Sequence, residues 1–414
     1  MTEERNWAEN LTYSARRVVH PRTHDELRAA LSGTEPIRVL GSRHCFNDIA
    51  DTTGMLVSLA DMPHEIEVAG DQVRISGGVR YGDVAPELEK HGRALSNLAS
   101  LPHISVAGAV ATGTHGSGDR LGSLAAAVRS MTLLTTTGEE KTISRGDDEF
   151  GGAPVHLGAL GVVTSLVLDT EPSYRIAQHA FDSPRWDAIL ADYDAVTGLG
   201  DSVSIFTTWR DPDRADQLWV KTRADRVDES IVAGLGARPA DGPRHPIPDV
   251  APEACNPQQG VAGAWFERLP HFRMDFTPSV GAELQSEFLV ARRDVARAVA
   301  TVQGLAGIVS PLLHVCEIRS VAADDLWLSP STGRDSVALH FTWHRRESAV
   351  REVLSELERA LEPLDARPHW GKIFTRTGTA VAAQYPRFDD FRELRAEMDP
   401  SGRLRNAYMR RLGL

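Results

Sequence analysis

Four short stretches of the chain gather side chains that could do chemistry. In "HVCEIRSV", residues 314–321, the two-residue period of a strand puts Glu317 and Arg319 on one face, about 6.6 Å apart along the backbone, with Cys316, Ile318 and Ser320 on the other. In "SVALHFTWHR", Val337, Leu339, Phe341 and Trp343 form an apolar face, which leaves His340 and Thr342 side by side between Ala338 and His344. "HWGKIF" offers Lys372, and "VLGSRHCFND" ends a hydrophobic strand in a small-residue turn that presents His44 between Arg43 and Cys45. An acid and a base then share a wall, and two polar-faced strands backed by strongly apolar faces look like the wall of an active site. The competing reading of either strand is a solvated sheet face with an ordinary cross-strand ion pair. Lys372, between apolar neighbours, also fits a lysine snorkelling from a core edge.

The usual phosphate signatures are missing, yet the chain offers another way to hold a large phosphate-bearing cofactor. There is no GxGxxG after the first strand, no GxxxxGK[ST] and no GxSxG. Instead, small residues recur in loops near 41–47, 100–118 and 158–163, where rows of unobstructed backbone N–H groups can cradle a pyrophosphate without positive charge. Each loop alone also reads as a set of tight turns. A metal-dependent hydrolase built on His44, His103 and His115 is a weaker alternative, because no HExxH or close carboxylate cluster accompanies them, and no metal site is expected.

The elements that position these residues follow from pattern. "THDELRAALSG" is a short helix with a capping box, Thr23 with Glu26, and Gly33 as a stop. "PIRVLG" is a buried strand, "EIEVAGDQVRISGG" a hairpin around Gly70-Asp71, and "YGDVAPELEKHG" a helix capped by Asp83. From about residue 172 the chain becomes rich in Trp, Arg and Pro, with strands such as "DQLWVKTR" and "GAELQSEFLV" and a long helix, "ESAVREVLSELERALEPL". The C-terminal "HWGKIF" and "DPSGRLRNAY" read as loop and strand. This gives domains at 1–171, 172–365 and a returning segment at 366–414.

At 414 residues and 42% hydrophobic content, the chain has ample material for a core. Its net charge of -12 argues against nucleic acid as the main partner. The N-terminus lacks the basic start and apolar stretch of a secretion signal, no apolar run is long enough for a membrane helix, and the three cysteines are far apart. A soluble cytoplasmic protein without disulfides is expected, and "NLT" at Asn10 carries no weight there.

Together "VLGSRHCFND", "SLPHISVAGAVATGTHGSG", "GALGVVTSLVLD", "ERLPHFRMDFTPSVGAELQSEFLV", "CEIRSVAAD", "HFTW" and "RPHWGK" resemble the alditol oxidases, flavoproteins of the vanillyl-alcohol oxidase superfamily, nearly end to end. The resemblance implies an α+β fold: a PCMH-type FAD-binding domain in two subdomains, plus a substrate domain whose large antiparallel sheet, flanked by helices, covers the isoalloxazine. It implies FAD linked covalently through His44. FAD contacts would come from Gly41, Ser42, Arg43, Cys45, Phe46, Ser100, Ser105, Gly108, Thr112, Gly113, Thr114, His115, Val163 and His369. Ser100, Glu317, Arg319, His340, Thr342 and Lys372 match the family's polyol pocket, and Ala99 the small residue beside an oxygen path. The implied reaction oxidises the terminal hydroxyl of a linear polyol, with O₂ reduced to hydrogen peroxide, in a monomer. His340 is the candidate base, Arg319 and Lys372 supply positive charge, and Glu317 grips a hydroxyl, although Glu317 and His340 could exchange roles. The family's usual "GSGHSFN" is altered by Arg43 and Cys45, which puts the loop conformation in question and could add a phosphate contact. Two alternatives stay open: a sugar-1,4-lactone oxidase or dehydrogenase of the same superfamily, and a flavin-binding module without catalysis.

Overall fold

The computed structural model describes residues 4–224, 226–275 and 283–414. Thr23 accepts from the Glu26 N–H and starts the helix His24–Leu31, whose Leu27 and Leu31 are buried against a small parallel sheet. That sheet orders its strands Arg17–Val19, Met55–Ser58, Ile37–Leu40. A second sheet, antiparallel, runs Ile66–Ala69, Gln72–Ser76, Val162–Asp169, Val128–Leu134, Glu140–Ser144. Its first two strands are the hairpin, with Gly70 at φ +61° in the left-handed conformation that Gly adopts without a Cβ clash.

The third sheet carries the wall. Its order is Arg238–Pro239, Arg175–Asp182, Gln217–Thr222, Ser202–Thr207, Leu313–Val321, Ser336–His344, Glu283–Ala291, Arg367–Pro368, with Gly263–Ala264 pairing off this path. Val337, Leu339, Phe341 and Trp343 bury one face in a core shared with the helices Val295–Gly304 and Glu347–Leu361. In the second of these helices, Val350, Leu354, Leu357 and Leu361 fall at three- and four-residue spacing, which is why that helix lies along the sheet. The opposite face stays polar and is turned toward the first two sheets.

Two expectations about elements are corrected. Asp83 lies inside the helix Tyr81–Lys90 rather than at its cap, and its carboxylate accepts from the Arg80 N–H. The C-terminal "HWGKIF" and "DPSGRLRNAY" are loops without strand, the second running into the helix Ala407–Leu412, and a further helix, Phe388–Met398, lies between them. Phe388, Phe391, Leu394 and Met398 pack into the core of the cofactor-side domain. The small-residue stretch 98–123 holds the short helix Val106–Ala111 between its loops.

Candidate active site

A cavity of about 730 Å³ separates the polar face of the large sheet from the loops of the first two sheets. Gly41, Ser42, Arg43, His44, Cys45, Ser100, Ser105, Gly108, Thr112, Thr114, His115, Val163 and His369 line it, as does Ala99. Two of the expected cofactor residues do not. The Phe46 side chain is 1% exposed and packs into the core of the large sheet, and Gly113 is turned against Pro330, where a Cβ would sit 3.0 Å from the ring.

The turn that carries His44 is held from two sides. Asn47 donates to the carbonyls of Trp370 and Lys372 at 2.8 and 2.7 Å, and the Phe46 N–H donates to the Gly371 carbonyl at 2.8 Å. From the N-terminal segment, the Trp7 N–H donates to the Arg43 carbonyl at 2.8 Å, Asn6 donates to the Cys45 carbonyl at 2.9 Å, and the Trp7 ring lies 4.4 Å from the His44 ring. Arg43 adopts φ +62°, a left-handed conformation that costs a non-glycine residue roughly 1–2 kcal/mol. Its guanidinium pairs with Glu4, so the cation that the sequence offered to a phosphate is already engaged. Burial, then Lys372 and His103, push the His44 imidazole down to about 3, so it is neutral near pH 7. Burial pushes the Cys45 thiol up to about 12, which leaves it protonated.

The cavity suits a flavin dinucleotide. Ser105 is buried, its Oγ has no hydrogen-bond partner, and it sits where a Cβ on Gly41 or Gly108 would come within 2.7 Å of it. A hydroxyl aimed into a cradle kept free of side chains is what a pyrophosphate requires.

On the opposite wall, register brings the expected residues together. Glu287, His340 and Glu317 stand opposite one another across three neighbouring strands, with Gln285 and Thr342 paired in the next row. Glu317 Oε2 is 3.7 Å from Arg319 Nε and 3.6 Å from His340 Nδ1, both beyond hydrogen-bond range. Burial pushes His340 down to about 4, helped by Lys372, and neither ring nitrogen has a hydrogen-bond partner among the described residues. Burial disfavours ionisation of Glu317, yet Arg319 and His271 hold its carboxyl well below the usual range. Ser100 and Thr342 complete the lining.

Lys372 does not snorkel to solvent; it ends on a carboxylate that sequence reasoning missed. Glu287 is 1% exposed and accepts from Lys372 Nζ and Arg319 Nη2, each at 2.6 Å, with His115 Nε2 at 3.2 Å. Burial opposes its charge, but Lys372, Arg319 and His115 together keep its carboxyl well below the usual range. The signal existed: the period of two in Glu283–Ala291 puts Glu283, Gln285 and Glu287 on one face. A second missed residue, His271, comes from a loop, and its Nε2 lies 2.8 Å from Glu317 Oε1.

Comparison with known proteins finds relatives along the whole chain. A family described as "FAD binding domain" matches residues 15–144, and one described as "D-arabinono-1,4-lactone oxidase" matches residues 290–412. The solvent-stable cholesterol oxidase structure superimposes with a TM-score of 0.77 at 14% identity, covering 99% of this chain and 97% of that one, which shows a shared fold. An L-gulono-1,4-lactone dehydrogenase from Mycobacterium tuberculosis (strain CDC 1551 / Oshkosh) is 28% identical over 435 residues, 98% of each chain. The alditol oxidase of Streptomyces sp. (strain IKD472 / FERM P-14339) is 48% identical over 412 residues, again 98% of each chain. With that identity sustained over the whole length, and a cavity between the small-residue loops and a polar wall, this chain belongs to the alditol oxidase family of FAD-binding flavoproteins.

Proposed function

We propose that the protein oxidises the terminal hydroxyl of linear polyols such as xylitol and sorbitol to the aldose, with O₂ as the electron acceptor. The observation that carries this reading is the row Glu287, His340, Glu317, flanked by Arg319, Thr342 and Lys372, on the cavity wall facing the His44 turn. The overall change removes a hydride and a proton from the carbinol, and O₂ takes up the electron pair and two protons to give hydrogen peroxide. FAD, when bound, supplies the hydride acceptor and passes the electron pair to O₂.

His340 takes the hydroxyl proton, because it is neutral and has ring nitrogens without protein partners. Glu317 Oε2 accepts a hydrogen bond from a neighbouring substrate hydroxyl and, with Ser100 and Thr342, sets the register of the chain in the cavity. Arg319 and Lys372 hold positive charge beside the site of reaction, and Glu287 fixes both cations. Positive charge held in place before reaction costs no reorganisation when negative charge develops.

His44 is the attachment point for the cofactor. A neutral imidazole nitrogen there would hold the flavin through its 8α-methyl carbon, with O₂ as the oxidant that such a linkage would require. Cys45, protonated and beside the histidine, takes no second linkage.

The test is to denature the purified protein in acid and record whether the yellow absorbance and FAD mass remain with the polypeptide, then to assay peroxide release with xylitol. An adduct on the His44 peptide together with xylitol-dependent peroxide is expected. Free flavin sinks the covalent link, and absence of flavin after reconstitution sinks the oxidase reading. The match to the lactone-oxidase family over residues 290–412 makes a γ-lactone the comparison substrate, with xylitol expected to be turned over faster.

A further inference from the structure

Behind the substrate wall lies a buried chain that the reaction described above does not use. Lys221, on the strand Gln217–Thr222, is 2% exposed, and its Nζ lies 3.0 Å from His271 Nδ1 while also donating to the Leu269 carbonyl. His271 Nε2 in turn lies 2.8 Å from Glu317 Oε1. The imidazole is fixed edge-on between Trp219 and Phe206, with ring centroids at 5.3 and 5.7 Å, and its backbone N–H donates to the Ser100 carbonyl.

We propose that Lys221 and His271 are positioning residues for Glu317, a chain that orients one carboxylate oxygen and leaves the other for a substrate hydroxyl. This rests on the reading of Glu317 as the group that grips the polyol. An ammonium has only donors, so Lys221 obliges His271 Nδ1 to accept, and the imidazole proton must then sit on Nε2. From there it donates to Glu317 Oε1. Glu317 Oε2, whose nearest ion-pair partner among the described residues is His340 Nδ1 at 3.6 Å, remains open toward the cavity. Without the lysine, either tautomer is available to His271, and the Nδ1–H form would set a lone pair against a buried carboxylate.

The chain also brings a titration into the site. The charged and titratable groups around Lys221 are Glu317, Arg319, Cys255 and His271. Burial, opposed by Glu317 and reinforced by Arg319, pushes Lys221 down to about 7, so the ammonium is present below neutrality and is lost above it. A neutral amine can accept as well as donate, so the constraint on His271 lapses as the ammonium is lost, and kcat/KM for a polyol therefore falls as pH passes through neutrality.

Two measurements on the FAD-loaded enzyme test this. In protein labelled with ¹⁵N-histidine, long-range ¹H–¹⁵N spectra read the tautomer of His271, assigned with His271→Gln, in the absence of substrate. Wild type is expected to show the Nε2–H form at pH 6, and Lys221→Met to lose that preference. In xylitol oxidation, Lys221→Met and Lys221→Arg are expected to lose the neutral-pH ionisation from the kcat/KM profile. His271→Leu should raise KM about 10-fold or more, the scale of one hydrogen bond to a charged acceptor, while His271→Gln recovers most of it. Lys221→Arg and His271→Gln preserve size and polarity, so the test stands if the more drastic variants fold poorly. An Nδ1–H tautomer in wild type, or a Lys221→Met enzyme with unchanged tautomer and pH profile, overturns the proposal. A wild type with the expected tautomer that leaves xylitol untouched instead overturns the polyol reading and leaves the chain standing.

Discussion

Glu287→Gln removes the one carboxylate that holds both cations of the wall, and its effect can be worked out in advance. The native carboxylate accepts from Lys372 and Arg319 at 2.6 Å each and is 1% exposed. Glutamine keeps the shape and one acceptor but leaves two buried cations with only more weakly coupled carboxylates among the described residues, Glu317 and, beside Lys372, Glu283. Removing one partner of a buried pair costs about 3–5 kcal/mol, and the retained amide oxygen puts this variant at the lower end, about 3 kcal/mol. Arginine does not give up its proton in proteins, so Lys372 yields. Burial already lowers its pKa and Glu287 opposes that, so without Glu287 the ammonium is lost at lower pH. Turnover should fall about 10²–10³-fold, the scale of one lost preorganised charge contact, with the alkaline limb of kcat displaced to lower pH. Equilibrium urea unfolding followed by tryptophan fluorescence, with the pH dependence of kcat, reads both effects. The double variant Glu287→Gln/Lys372→Met should recover at least about 1 kcal/mol relative to the sum of the single losses, because the stranded ammonium is gone. Strict additivity, or a Glu287→Gln protein as stable as wild type, would refute the reasoning.

Other expectations follow from the same contacts. His44, His271 and His340 are pushed down to about 3, 4 and 4, below the 6.5 of a free imidazole, so between pH ~4 and ~6.5 the unfolded chain binds more protons and stability should rise with pH. Glu287 and Glu317, both depressed, add stability that is complete above the unfolded carboxyl value of about 4.3 and fades below it. An unfolding midpoint that is flat or falling from pH 4 to 6.5 would contradict this. Arg43→Gly relieves a left-handed residue but loses the part-exposed pair with Glu4, so its stability should stay within about 1 kcal/mol of wild type, whereas Arg43→Val should lose more. Thermal scans of the pair decide, and equal losses would count against backbone strain at this turn. Trp7→Ala removes the ring packed on His44 and is expected to lower the fraction of acid-stable flavin while total bound FAD changes little, which fluorescence of the denatured band against extracted flavin measures.

Legibility in the sequence followed burial pattern. Glu317 with Arg319, and His340 with Thr342, could be paired from one strand at a time, because a two-residue period with one strongly apolar face fixes which side chains share the other. Glu287 obeyed the same rule but stood in a stretch read only as a strand, and nothing local shows that its neighbour in the sheet is His340. Lys221 and His271 were out of reach for a different reason. A lysine on "DQLWVKTR" reads as solvated, and only the loop folded over it, fixed through the backbone contacts of His271 and Asn256, buries it. The helix Phe388–Met398 went unread because its many charges conceal the apolar spacing of Phe388, Phe391, Leu394 and Met398.

The wall's charges also bear on what it can receive. Glu287 and Glu317 are ionised against Arg319 and Lys372, so the innermost groups balance and do not call for a charged substrate. Polyols and sugar lactones are both neutral, and charge therefore does not separate them; hydrogen-bond polarity does. Among the described residues, the groups that face one another beyond hydrogen-bond range alternate in kind: Arg319 Nε donates, Glu317 Oε2 accepts, and neutral His340 offers one nitrogen of each sort. A hydroxyl both donates and accepts, so consecutive hydroxyls on a linear chain can satisfy such a row in turn. A lactone replaces part of that run with a ring oxygen and a carbonyl, which only accept, and would leave Glu317 Oε2 facing an acceptor. An unpaired buried carboxylate oxygen is costly, and that cost, rather than cavity size, is what should rank xylitol above a γ-lactone in this enzyme.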